Sequence, residues 1–374
     1  MDYTTPQFFR VMQYAAGADR DVVGMVSGNP DWDPPAALRE GLREYAEASP
    51  EAFQYPPSVG LADLRAEIAE RRGVDRSQVL VTNGAGEANH LAMAGGLEAF
   101  SGNEVVLADP VYPYYAGRAN FRGADVAVAP VDEDGHLAPA TVAETASEDT
   151  AVIVVNTPNN PMGVTYGPDA MTGFVDVAEE YDALLVSDEV YDHFDRSGRF
   201  ESALAVDSPN RVVTNSFSKS MAITGFRVGY AVFPPESAPE PAGSLLDTAR
   251  TRHMLTNVTG SRPAQAAVLH ALRHTGPEYY QDKRDLLAAR TARFTDALQA
   301  LGVEYTEPEG AFYVMARFPD FPGSFENVER LVDEAGVAAM PGEAFGGARS
   351  DWLRFSLTTD RVGTAGERLR EFFG

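Results

Sequence analysis

Short runs of β-branched and aliphatic residues alternate with longer stretches in which apolar positions recur every three or four residues. The short runs predict strands over residues 79–82, 104–108, 151–156, 183–187, 211–215 and 228–233. Between them the helical spacing predicts helices over 87–100 and 170–181. Val152-Ile153-Val154-Val155 is apolar without alternation, as in a strand covered on both faces. Such an alternation is that of an α/β sheet with crossover helices. A Pro-rich stretch at 234–241 interrupts it. A long helical pattern over about 262–301 follows, then short strands around 311–318 and 352–358. The pattern divides the chain into three parts. These are an arm at 1–40 that shares in a small domain, a large α/β domain at 41–250, and a connecting helix with a small α+β domain at 251–374.

Composition narrows the function. A chain of 374 residues with 44% apolar content suits two packed domains. No stretch approaches the roughly 18 apolar residues of a membrane span, and residues 1–10 are unlike a signal peptide, so a cytoplasmic protein is expected. The chain has no cysteine, which excludes disulfides, thiolate metal sites and cysteine nucleophiles. A net charge of −25 argues against a nucleic-acid partner. The acids, among them Glu40, Glu44, Glu47, Glu51, Glu67 and Glu70, are scattered. This suits a halophile's solvated acidic surface, because at molar salt the screening length falls to about 3 Å and carboxylate repulsion with it.

Only two of the 30 basic residues are lysines, Lys219 and Lys283. Arginine cannot form an imine, so a lysine kept at Ser216-Phe217-Ser218-Lys219-Ser220 marks a place for amine chemistry. Lys283, in a charged stretch, reads as an incidental surface residue. Ligands in open α/β sheets sit beyond the carboxyl ends of the strands, and four of the predicted strands end in polar or glycine clusters. The first runs into Asn83-Gly84-Ala85-Gly86 at a helix start, a setting for an anion. The second ends in Asn156-Thr157-Pro158-Asn159-Asn160-Pro161-Met162-Gly163. The third ends in Ser187-Asp188-Glu189-Val190-Tyr191, where Asp188 alone would read as a helix N-cap. The fourth runs through Lys219 to Thr224-Gly225-Phe226-Arg227, setting two hydroxyls and an arginine beside the amine as a phosphate cradle.

In this order the runs NGAG, NTPNNPMG, SDEVY and SFSKSMAITGFRVGY resemble the class I/II aminotransferases of fold type I, aspartate aminotransferases in particular. The likeness extends to Gly310-Ala311-Phe312-Tyr313, Pro341-Gly342-Glu343-Ala344-Phe345-Gly346 and Arg354-Phe355-Ser356. It implies a large domain whose mostly parallel seven-stranded sheet is sandwiched by helices, plus a smaller α+β domain. It also implies pyridoxal 5'-phosphate held as a Schiff base on Lys219, which then carries the proton at Cα. Asp188 would face the pyridinium nitrogen, and Asn160 and Tyr191 the phenolic oxygen. The amides of Ala85 and Gly86, the hydroxyls of Ser216 and Ser218, and Arg227 would hold the phosphate. Tyr112 would stack on the ring. Tyr55 would reach the phosphate of a neighbouring subunit, which implies a homodimer with shared sites. Arg354 would clamp the substrate α-carboxylate, with Asn160 and the backbone of Gly28 beside it. The implied reaction moves an amino group from an α-amino acid to a 2-oxo acid such as 2-oxoglutarate.

Two residues depart from the family pattern. Met162 replaces the usual threonine of its turn. Gly86 stands where some aspartate-using relatives carry a lysine that meets the side-chain carboxylate. The rival readings are a lyase or decarboxylase using the same Lys219, a sensor module that would need a DNA-binding domain, and a nicotinamide dehydrogenase resting on Gly84, Gly86 and Asp109. The last lacks a third glycine, since Asn89 fills that position. His270 and His274 lie one helical turn apart without an acidic partner at the spacing of zinc proteases, and read as a solvated face. Phe8, Phe9 and Tyr14 read as core packing or as contacts to a partner subunit.

Overall fold

The computed structural model describes residues 5–374. Its first strand is β1 (Val23–Gly24). The main sheet follows, with β2 (Val79–Thr82), β3 (Glu104–Asp109), β4 (Asp125–Pro130), β5 (Thr150–Asn156), β6 (Leu184–Asp188), β7 (Arg211–Ser216) and β8 (Gly229–Val232). The strand order is β2-β8-β7-β6-β5-β3-β4. All neighbours run parallel except at β8, which is antiparallel to both β2 and β7.

The central strands lack alternation because both faces are buried. On one face Val106, Ile153, Val155, Leu185 and Val213 share a core with the helices Ala62–Arg72 and Pro168–Glu180. On the other, Val105, Val152, Val154, Leu184 and Val186 pack against the helices Ala85–Ala99 and Leu245–Asn257. β4 is missing from the six strands predicted by pattern; it lies on the sheet edge, where one neighbour suffices and the residues are only partly covered.

A third core is built by β9 (Glu304–Tyr305), β10 (Tyr313–Arg317), β11 (Val337–Ala338), β12 (Met340–Pro341) and β13 (Trp352–Ser356). β9, β10, β12 and β13 form a second sheet in the order β12-β13-β10-β9, and β1 pairs with β11. Leu287, Phe294, Phe312, Phe355 and Leu369 fill the space beneath it. The helical pattern over 262–301 is two helices, Arg262–His274 and Pro277–Leu301. Thr275-Gly276-Pro277 divides them, since proline has no N–H to continue a helix but suits its first turn. The first of the two carries Ala264, Ala267, Val268 and Ala271 into the main-sheet core, and residue 250 falls inside the helix Leu245–Asn257.

Candidate active site

The carboxyl ends of β2, β5, β6 and β7 open on one cavity of about 560 Å³, closed from the other side by Tyr313, Met340 and Arg354 of the second sheet. Twelve of the thirteen residues named from the sequence line it. The exception is Tyr55, which is 81% exposed.

Lys219 lies in the single helical turn Phe217–Ser220 that ends β7. Its Nζ donates to the carbonyl of Gly28 at 2.7 Å. Burial, helped by Arg354 and Arg227 and opposed by Asp188, pushes the amine down to about 8. It therefore exchanges its proton near neutral pH. The glycine at 28 is required by this approach, since a Cβ there would lie 2.3 Å from the Tyr313 hydroxyl oxygen and 3.2 Å from Lys219 Nζ. Lys283 lies away from the cavity, 5.2 Å from the ring centre of Tyr279.

Asp188 ends β6 and is buried. Its Oδ2 accepts from Asn89 Nδ2 and from the Tyr115 hydroxyl, both at 2.6 Å, and its Oδ1 from the amide of Val190 at 3.2 Å. Burial raises its pKa, and the two side-chain donors oppose that rise. Asn89 is oriented in turn by Thr214, whose hydroxyl donates to its Oδ1 at 2.6 Å. A carboxylate held this firmly can face a cationic ring nitrogen without rotating away. Sequence reasoning overlooked Asn89 and Tyr115. Asn89 was visible only as a failed glycine, although it lies one turn beyond Gly86 on the helix that starts at the cavity.

The anion end is built around Gly84, which caps the helix Ala85–Ala99 with φ 82°. A Cβ there would lie 2.4 Å from Arg227 Nη2. Arg227 donates to the carbonyls of Thr224 at 2.9 Å and Asn83 at 3.2 Å, leaving it beside the free amides of the helix start. The Ser218 hydroxyl is buried without a hydrogen-bond partner among the described residues. A buried hydroxyl left unpaired is costly, and a phosphate ester at this end would satisfy it, so the residues present fit such a group.

Arg354, on β13, is only 3% exposed and has no carboxylate within ion-pair distance among the described residues. Its Nη1 donates to Asn160 Oδ1 at 3.1 Å and its Nη2 to the Val26 carbonyl; its Nε has no partner among the described residues. The guanidinium lies 4.3 Å from the Tyr313 ring centre. An uncompensated buried cation of this kind calls for an anionic ligand, and at 3% exposure Arg354 is not the surface residue that an ion-pair reading would need. The Tyr191 hydroxyl meets that of Tyr313 at 3.0 Å, and burial raises both phenols. Tyr112 sits against Tyr114 and Tyr115 with ring centres 4.9 and 5.6 Å away.

Phe8 and Phe9 line the cavity mouth, and the Tyr14 hydroxyl donates to Asp333 of its own chain at 2.7 Å. Met162 is buried over Gly135, where a Cβ would lie 2.4 Å from the Met162 methyl carbon. Asp109, the acid of the nicotinamide reading, accepts from the amides of Gly347 and Ala348 at 3.2 Å and is thereby committed to a loop. His270 and His274 stack with ring centres 4.2 Å apart, and His270 Nδ1 faces Glu44 at 3.0 Å.

Fold and site together define a class: an α/β enzyme in which one buried amine lies between an anion cradle and a separate buried guanidinium. The chain belongs to the aminotransferase class I and II family, which matches residues 20–369. It is 30% identical over 362 residues to an aspartate aminotransferase of Pyrococcus horikoshii, covering 91% of this chain and 87% of the relative. It is 31% identical over 369 residues to an aspartate/prephenate aminotransferase of Thermus thermophilus, covering 95% and 91%. The solved structure of an aspartate aminotransferase from Thermus thermophilus with maleate matches at a TM-score of 0.88 and 28% identity, over 98% of this chain and 97% of that one. Among the described residues no helix is long and apolar enough to cross a membrane.

Proposed function

We propose that the chain transfers an amino group from an α-amino acid to a 2-oxo acid with pyridoxal phosphate as cofactor, Lys219 carrying the proton. The observation that supports this most is the meeting of a depressed lysine and an unpaired buried arginine in one cavity. When bound, the cofactor supplies an aldehyde for the amine and a ring that accepts electron density from Cα. The amides of Ala85 and Gly86, the hydroxyls of Ser216 and Ser218, and Arg227 would hold its phosphate. Asp188 would stand against its ring nitrogen, Tyr112 against its face, and Asn160 and Tyr191 at its phenolic oxygen. Arg354 binds the α-carboxylate through its fork and so fixes Cα within reach of Lys219. Lys219 Nζ takes the proton from Cα and returns it, an exchange suited to an amine whose pKa lies near 8. The aromatic mouth at Phe8 and Phe9 shields the site from water.

The active unit in this reading is a homodimer, with the exposed Tyr55 reaching the partner's phosphate site. Aspartate and glutamate are the first donors to test, with 2-oxoglutarate as acceptor. The charge of −25 fits work in a salt-rich cytoplasm. A half-reaction panel tests the proposal: single amino acids are added to the yellow loaded enzyme. Transamination gives one equivalent of 2-oxo acid and the pyridoxamine form, reversed by 2-oxoglutarate. Release of ammonia or carbon dioxide with the yellow form regenerated would make the enzyme a lyase or decarboxylase instead.

A further inference from the structure

We propose that Arg118 binds the side-chain carboxylate of a dicarboxylic donor, an assignment that rests on the transamination reading. Arg118 projects from the helix Tyr114–Arg122 into the same cavity. Its Nε donates to the carbonyl of Gly86 at 3.2 Å and its Nη1 to that of Tyr114 at 2.9 Å. These two bonds fix the guanidinium plane. Nη2 donates to no acceptor among the described residues, and it lies 3.3 Å from the point a Cβ on Gly86 would occupy. The space left by the missing side chain at 86 is therefore held by a cation from the next helix.

Charge counting within the cavity points to the ligand. Four cationic side chains line it (Arg118, Lys219, Arg227 and Arg354) against one acid, Asp188, whose carboxylate is taken up by Tyr115, Asn89 and a backbone amide. Arg227 lies at the phosphate end, and Arg354 faces Asn160 and Tyr313 as the α-carboxylate site. Among the described residues Arg118 remains without a counter-ion, half-buried, in a chain that carries 55 acids. With 55 carboxylates to choose from, an arginine aimed at a cavity instead marks a position for an anion that arrives with the substrate. A second carboxylate on a flexible two- or three-carbon side chain is the anion that α-amino acids supply, and a guanidinium receives it by two parallel bonds.

The test compares the loaded wild type with Arg118→Met and Arg118→Lys. Half-reactions are run with aspartate and glutamate, and with alanine and phenylalanine. The assignment predicts that Arg118→Met lowers kcat/KM for the dicarboxylic donors by about 30-fold or more, as loss of a charge-assisted bond does. The neutral donors should stay within about threefold, and Arg118→Lys should recover part of the loss. Binding of succinate, followed by calorimetry, should weaken by a similar factor while binding of propionate does not. An equal fall for all four donors, accompanied by loss of cofactor, would overturn the assignment and make Arg118 a phosphate ligand. Unchanged dicarboxylate kinetics and succinate affinity would overturn it as well. If no amino acid converts the wild type, the transamination reading fails on its own, and the succinate measurement still decides the place of Arg118.

Discussion

Replacing Arg354 by methionine separates a substrate clamp from a structural cation. Its guanidinium is buried and, among the described residues, makes hydrogen bonds only to Asn160 Oδ1 and the Val26 carbonyl and leaves Nε unpaired. A forked pair to a substrate carboxylate adds two charge-assisted bonds of about 1.5–3 kcal/mol each, or about 3–6 kcal/mol together. Arg354→Met should therefore lower kcat/KM by a factor of about 10² to 10⁴, for amino acid and 2-oxo acid alike, because both carry the same carboxylate. Stability should respond quite differently. The variant leaves two carbonyl oxygens unpaired, at about 1–3 kcal/mol each, but it also removes the desolvation cost of an uncompensated buried charge, several kcal/mol. The two nearly cancel, so the melting temperature should shift little. Stopped-flow half-reactions and calorimetric melting measure the two quantities on one preparation. A fall of less than tenfold in kcat/KM, or a melting temperature that drops in step with activity, would refute the reasoning.

Three further outcomes follow from the same geometry. Tyr115→Phe removes one of two donors from Asp188 Oδ2 and should lower turnover by about tenfold or more; unchanged turnover would show that Asp188 is held without it. The pKa of Lys219 near 8, below that of a free lysine, means that the unfolded chain binds more protons between about pH 8 and 10. Cofactor-free protein should thus gain stability as pH rises through that window, a gain that Lys219→Met abolishes, and a wild-type profile no steeper than the variant's would contradict the burial of the amine. Screening should raise the melting temperature from dilute buffer to molar potassium chloride; a flat or falling trend would remove the salt-adapted reading and leave the enzymatic one standing.

Much of the fold was legible because the central strands are buried on both faces and so read as unbroken apolar runs. Legibility faded wherever burial is one-sided or the element is short. β4 is an edge strand containing Asp125 and Pro130, and β1, β9, β11 and β12 have two residues each, too few to show any period. The helix Leu245–Asn257 hides its register because buried His253 takes an apolar position. At the site, the residues carried by contiguous runs at strand ends were all visible. Asn89, Tyr115 and Arg118 were not, because each works through a neighbour distant in the chain. Asn89 and Tyr115 meet Asp188 across 99 and 73 residues, and only the packing of helices on the sheet joins them.

Lys219 is the residue on which the account turns, and chemical trapping tests it most directly. The purified yellow enzyme is reduced with borohydride, digested, and its labelled peptide sequenced by mass spectrometry. Only an imine is reduced to a stable secondary amine, so the account predicts one cofactor per chain on the peptide containing Ser216-Phe217-Ser218-Lys219-Ser220. It further predicts that Lys219→Ala retains some cofactor through the Arg227 end of the cavity yet takes no label. Recovery of the label on Lys283, or labelling that survives the loss of Lys219, would contradict it.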